Sequence, residues 1–252
     1  MHFTKFYSIV ERDLDILNPT SHEKLMLLAD YCGIRDGSRV LDVGSGNGYM
    51  LREWAKHRSI EGTGLEINPS FVIQARSRAS AEGVDDALTF VEGDAKGFVP
   101  DPEGYDVVTC VGAPFAIGPF GEAVGWMLGA LKPSGIMAIG DEYLHAPLPE
   151  EVAEREGVGP GDYRTLEETE AVLEGHGLVL DGVIAGSPED WDRYASGGWR
   201  AAHAWAEANP DDPDRAELLR TVDRDRKEYL RFKRHHVGWA ILVARRAVDR
   251  RA

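Results

Sequence analysis

Short apolar runs recur along the first half of the chain, at residues 40–43, 62–67, 88–91, 107–111 and 136–139. Between them lie stretches with helical spacing at 49–57, 70–82 and 121–131. Strands apolar on both faces and separated by helices predict a buried parallel sheet covered on each side. Crossovers in such sheets are almost always right-handed, so the expected architecture is an α/β, doubly wound sheet. Further on, the pattern predicts a helix over 165–175, a strand over 178–185 and a final strand over 238–245.

Two regions stand outside this alternation. The first is an N-terminal helical extension over residues 1–37, whose first helix is expected to begin at Thr20. There Thr20-Ser21-His22-Glu23 has capping-box spacing, Leu25, Leu28, Ala29 and Cys32 follow at helical intervals, and Gly33 marks the stop. Residues 1–19 either fold over a ligand site or pack as an extension. The second region is residues 188–236, far longer than an ordinary connection between strands. Trp191, Tyr194, Trp199 and Trp205 populate its first half. A helix is expected over 214–234, with Leu218, Val222, Tyr229 and Phe232 on one stripe. Such an insertion reads as a helical cap on a single domain spanning 1–252 rather than a second domain. Its aromatic side chains suit an apolar or cationic small molecule, and equally suit packing of the cap onto the sheet.

Composition narrows the function. The 252 residues carry a formal net charge of -15, a field that repels polyphosphate and disfavours a nucleic-acid partner. Arg245, Arg246, Arg250 and Arg251 form only a short basic end. No apolar run approaches a membrane span, and the N-terminus lacks the pattern of a signal peptide, so the expected location is cytoplasmic with no membrane partner. Cys32 and Cys110 are expected to be free and buried. His235 and His236 lack ligand spacing, so no metal is expected. Nothing in the pattern addresses the oligomeric state.

The informative chemistry begins at Asp42-Val43-Gly44-Ser45-Gly46-Asn47-Gly48, a strand end, a glycine turn and a helix start. The glycines alternate, unlike the G-x-G-x-x-G that frames a dinucleotide pyrophosphate. Asp42 would repel a diphosphate but attract the cationic end of S-adenosylmethionine (SAM). Glu66, followed by Ile67, closes the second strand, where a carboxylate can accept from both ribose hydroxyls. Asp94-Ala95 follows the third strand, placed to meet an adenine through the carboxylate and a backbone N–H, or else to cap a helix.

This set resembles the class I SAM-dependent methyltransferases. The resemblance covers residues 38–140 and includes Tyr105-Asp106-Val107-Val108 and Leu131-Lys132-Pro133-Ser134-Gly135-Ile136. The chain is also similar to a bacterial group of small-molecule methyltransferases through Gly140-Asp141-Glu142-Tyr143, Asp190-Trp191-Asp192-Arg193-Tyr194 and Gly238-Trp239. The resemblance implies a Rossmann-like seven-stranded sheet whose last strand is antiparallel. It implies SAM as cofactor, lying across the strand ends against Asp42, Gly44, Ser45, Gly46, Gly48, Glu66, Ile67, Asp94, Ala95 and Val111. It also implies a small-molecule methyl acceptor.

Methyl transfer from a sulfonium is an in-line displacement, so alignment supplies much of the rate and catalytic groups can be few. The expected candidates are Asp141, Glu142 and Tyr143, with His145, at the end of the fifth strand, and His22 from the first helix. Ala113-Pro114-Phe115 is similar to the Asn/Asp-Pro-Pro-aromatic loop of amino-group methyltransferases, but the amide or carboxylate is missing. That absence disfavours nucleobase and glutamine acceptors, while Phe115 either walls the pocket or packs in the core. A catalytically inert SAM-binding protein and an aminopropyl transferase are compatible with the same loop. An NAD(P)-dependent oxidoreductase would need the pyrophosphate spacing that the loop lacks.

Overall fold

The computed structural model describes residues 1–247; Arg250 and Arg251 of the basic end lie outside the described residues. Seven strands form one sheet: β1 (Arg39–Val43), β2 (Glu61–Glu66), β3 (Leu88–Glu92), β4 (Tyr105–Val111), β5 (Leu131–Leu144), β6 (Leu178–Ala185) and β7 (Val237–Arg246). Their order is β3-β2-β1-β4-β5-β7-β6. The first five pair in parallel, and β7 runs antiparallel to both its neighbours. The strand order reverses between β1 and β4, and open α/β sheets bind ligands at such a switch point.

Helices cover both faces. On one side α2 (His22–Tyr31), α3 (Tyr49–His57) and α4 (Pro69–Glu82) enclose a core around Leu28, Leu51 and Trp54. On the other, α5 (Phe120–Ala130) and α7 (Leu166–Gly175) enclose Val124, Met127 and Leu173; α6 (Glu150–Glu156) precedes α7. Cys32 and Cys110 are free and buried within these two cores.

Three expectations are corrected. First, a helix precedes the one foreseen: α1 (Phe3–Val10) is capped by the His2 side chain, which accepts from the Thr4 N–H. The cap of α2 lies one residue later, with Ser21 accepting from Lys24, because Thr20 is turned into the interior and fully buried. Second, β5 does not stop at residue 139. It continues to Leu144 because β7 offers a partner at every position, from Ile136 opposite Arg245 to Leu144 opposite Val237. Asp141, Glu142 and Tyr143 therefore stand at the end of the fifth strand, as expected, but as paired positions of the sheet. Third, the insertion holds a long helix, α8 (Pro188–Ala208), capped by reciprocal bonds between Ser187 and Asp190. The following α9 (Arg215–Glu228) passes into a π-helical turn over Tyr229–Lys233 instead of staying regular to residue 234.

Extension and insertion also pack together. Ile9 and Val10 of α1 meet Ala202 of α8 and Leu218 and Val222 of α9 in a small core of their own. The Lys5 ammonium joins Asp212 and Asp214 at 2.9 and 2.7 Å.

Candidate active site

The glycine loop after β1 is shaped by its fixed surroundings. Gly44 has φ +72°, and a Cβ there would lie 2.4 Å from the Ala113 Cβ. Gly46 has φ +55°, and its added carbon would meet Leu17 at 2.7 Å. Both positive φ and close approach restrict these positions to glycine. The N–H groups of Gly44 and Ser45 donate to the Leu65 carbonyl at 2.8 and 3.0 Å, fastening the loop to β2.

Glu66 tightens the same loop from the end of β2. One of its oxygens accepts from the Gly46 N–H at 2.9 Å and the other from the Asn68 N–H at 2.7 Å. Burial raises its pKa, while these backbone donors pull the other way. Asp42 is deeper still, with the Thr109 hydroxyl donating to its Oδ1 at 2.7 Å. Burial pushes its carboxyl up to about 7 against the Thr109 bond, and the charge of Glu66 adds to the rise. Asp94 accepts from the Lys96 N–H at 2.9 Å, capping a single turn that starts at Ala95.

These side chains surround a cavity of about 480 Å³. Of the ten positions expected to hold SAM, nine line it: Asp42, Gly44, Ser45, Gly46, Glu66, Ile67, Asp94, Ala95 and Val111. Gly48 does not. It sits behind the loop as the left-handed N-cap of α3, pressed against Phe90. Phe115 lines the mouth with most of its ring exposed.

The segment between α1 and α2 crosses this cavity, which decides between the two readings of residues 1–19. The Asn47 amide donates to the carbonyls of Leu14 and Asp15 at 3.2 and 2.9 Å, and the Asn18 amide donates to the Val111 carbonyl at 3.0 Å. Ile16 and Leu17 thereby become part of the wall.

The wall also holds a buried carboxyl group that the sequence pattern does not single out. Glu11, just after α1, is 7% exposed, and its Oε1 accepts from the Tyr194 hydroxyl at 2.8 Å. Burial pushes its carboxyl up to about 8; the Tyr194 bond opposes that rise and the charge of Glu66 adds to it. The signal for α1 was present: Phe3, Phe6, Tyr7 and Val10 share one helical face.

A second cavity of about 340 Å³ lies against the first. Tyr7, Glu11 and Tyr194 line both. Of the catalytic candidates, Glu142 alone lines one of these two cavities, the second. Its carboxylate is held by the Lys233 ammonium at 2.9 and 3.0 Å. Asp141 faces Arg164 at 3.3 Å, Tyr143 packs on Gly238 and His145, and neither lines either of these cavities. His22 is turned to the Tyr49 hydroxyl at 3.1 Å and lines neither cavity. Among the described residues, no cluster of three or more His, Cys, Asp or Glu has the arrangement of a metal site, and no helix is long and apolar enough to cross a membrane.

The first cavity fits a cationic donor. Glu11, Asp15, Asp42, Glu66 and Asp94 line it against one cation, Lys96, and the buried Ser45 hydroxyl has no partner. A nucleotide loop with this charge excess, at the switch point of a seven-stranded sheet with an antiparallel β7, defines a class I methyltransferase. Comparison with known proteins agrees. A family model described as a methyltransferase domain matches residues 34–192, and the chain belongs to that family as a SAM-dependent methyltransferase. It is 36% identical to YjhP of Escherichia coli K12 over 97% of this chain and all of that one. The crystal structure of YjhP superposes with a TM-score of 0.90, covering 96% of this chain and 100% of that one at 34% identity. A SAM-dependent methyltransferase from Geobacter sulfurreducens, solved with S-adenosylhomocysteine (SAH), gives a TM-score of 0.88 at 33% identity, covering 96% of this chain and 98% of that one. Over 126 residues, half of this chain and 41% of the relative, it is 35% identical to the erythromycin 3''-O-methyltransferase of Saccharopolyspora erythraea.

Proposed function

We propose that the first cavity is the SAM site and that the enzyme methylates a small soluble molecule in the cytoplasm. The supporting observation is the convergence of nine sequence-selected positions on one cavity whose lining is strongly acidic. SAM supplies an electrophilic methyl carbon on a positively charged sulfur.

The protein's own residues have separable tasks in this reading. Asp42, with Oδ1 already held by Thr109, offers its other oxygen to the cationic end of the donor. Glu66 exchanges its bonds to the Gly46 and Asn68 N–H groups for the ribose hydroxyls, or shares them. Asp94 and Ala95 border the base, Ile67 flanks it, and Val111 closes the floor beside the transferred methyl. Gly48 acts indirectly, by starting α3 behind the loop. The segment bearing Ile16 and Leu17 covers part of the cavity and would limit the access of water, while alignment of nucleophile, methyl and sulfur would supply much of the rate.

A small acceptor is consistent with the size of the second cavity and with the net charge of -15, which disfavours nucleic acid. The erythromycin methyltransferase likewise acts on a small molecule.

Calorimetric titration with SAH tests the assignment. The unmodified protein is expected to bind SAH, and NADH is expected not to bind. Asp42→Ala and Glu66→Ala should each weaken SAH by about tenfold or more, the scale of losing a hydrogen bond to a charged group. Unchanged affinity in both variants would place the donor elsewhere.

A further inference from the structure

The second cavity is walled by aromatic rings from both ends of the chain: Tyr7 from α1, Trp191, Tyr194 and Trp199 from α8, and Tyr229 from the π-helical turn. Trp191 and Tyr229 lie with centroids 5.8 Å apart, and Trp199 meets Tyr229 at the same distance. Ring faces assembled in this way attract cations.

Its charged groups are unbalanced in the same direction. Glu11, Glu142, Asp225 and Glu228 line the cavity against a single cation, Lys233. Lys233 is already committed to both oxygens of Glu142, and Asp225 is engaged by Arg224 at 2.9 and 3.0 Å. Among the described residues neither Glu11 nor Glu228 makes a close ion pair, although the charge of Glu228 is felt by Lys233 and Arg231. Glu11 has only Oε1 occupied, by Tyr194, and it stands in the wall common to both cavities. An independent feature points to a ligand. Trp191 is 9% exposed, and its indole N–H has no hydrogen-bond acceptor. A buried donor left without a partner takes its acceptor from outside the chain, from water or from a ligand.

Resting on the donor site assigned above, we infer that the second cavity is the acceptor site and takes a small aliphatic amine. The amine enters as its ammonium ion and carries an oxygen that can accept from the Trp191 N–H. The aromatic rings and Glu228 hold the cation, and Glu11, once it has lost its own proton, receives the one that the nitrogen must lose. The ammonium N–H gives its proton to Glu11 Oε2, restoring the nitrogen lone pair. That pair forms the new bond to the methyl carbon while the electrons of the carbon–sulfur bond remain on sulfur. The product leaves as an N-methylammonium ion, and Glu11 returns its proton to solvent. An aliphatic nitrogen has its lone pair available once deprotonated, unlike the conjugated nitrogen of a nucleobase or an amide. The amide absent from Ala113-Pro114-Phe115 is therefore not required.

Three measurements test this, the first on the SAH-loaded protein and the others with SAM as donor. Tetramethylammonium is titrated against its neutral shape match, tert-butanol, with tryptophan fluorescence and calorimetry as readouts. The cation is expected to bind at least about tenfold more tightly than the alcohol, and Glu228→Gln to lose about tenfold for the cation while SAH affinity stays unchanged. Glu228 lines the second cavity alone, so this variant separates the two sites. A panel of amino alcohols and amino-acid amides, supplied with isotope-labelled SAM, is then analysed by mass spectrometry, with label expected on nitrogen. Glu11→Gln, which can keep its bond to Tyr194, should depress turnover more than acceptor binding. If SAH does not bind the unmodified protein, the donor assignment fails. If SAH binds but the alcohol matches the cation, or label appears on oxygen or carbon, the amine inference alone is overturned.

Discussion

The two cavities are built in opposite ways. The first is assembled mainly from strand ends and turns between Asp42 and Val111, with the glycine loop and Glu66 fixed by backbone bonds, and is covered by the segment bearing Ile16 and Leu17. The second is assembled from helices at the two ends of the chain, joined by side chains such as the Tyr194 hydroxyl on Glu11, 183 positions apart. A site made of local turns is rigid and readable from a short motif. One made by docking distant helices can be reshaped without disturbing the sheet, which suits the half of the reaction that varies between enzymes.

The largest expected effect comes from breaking the rigid half. Gly44→Ala puts a carbon 2.4 Å from the Ala113 Cβ at a positive φ, and neither backbone can yield cheaply. SAH affinity should fall by about 100-fold, roughly 3 kcal/mol, as read by calorimetry; a tenfold loss or less would mean that the loop is softer than its bonds imply. Next, Ile9→Ala removes packing where α1 meets α8 and α9. A loss of about 2–4 kcal/mol of stability is expected in denaturant titration, with SAH binding retained near its original value. Loss of SAH binding in step with stability would show that the two halves are one unit.

The pH dependence is smaller and has a definite sign. Asp42 and Glu11 titrate at about 7 and about 8 in the folded protein, both because burial disfavours the charged form. Unfolded, both would titrate near about 4. Between those limits the unfolded chain holds fewer protons, so stability is full at low pH and falls as pH rises. The melting temperature of the ligand-free protein should therefore drop from about pH 5 to about pH 8. Glu11→Gln should flatten the upper part of that slope. A melting temperature that rises across the range in both proteins would contradict it. Smallest of all, Asn47→Ala removes two bonds to the Leu14 and Asp15 carbonyls. About 1 kcal/mol of stability should be lost, together with faster SAH release in stopped-flow displacement.

The same contrast explains what could be read from the sequence. Asp42, the alternating glycines and Glu66 lie in one strand–turn–helix–strand unit, so pattern and chemistry coincide. The helix α1 carried the right spacing in Phe3, Phe6, Tyr7 and Val10, but its cap is a histidine rather than a serine, threonine or aspartate. The polar run Asp141–Glu142 is placed at the end of the fifth strand by the sequence, but its pairing with β7 has no local signal. No local signal distinguishes Glu142, which reaches a cavity, from Asp141, which faces Arg164. The pairing of Glu11 with Tyr194 depends on two helices meeting in space.

The small core of Ile9 and Val10 against Ala202, Leu218 and Val222 has a consequence for the order of events in folding. Its closure requires nearly the whole chain as a loop, an entropic cost met only after the sheet exists. Those helices should dock last and detach first, as a cooperative unit opening below the global unfolding free energy. Native-state hydrogen exchange would then show amides of α1, α8 and α9 losing protection together while those of β1 and β4 remain slow.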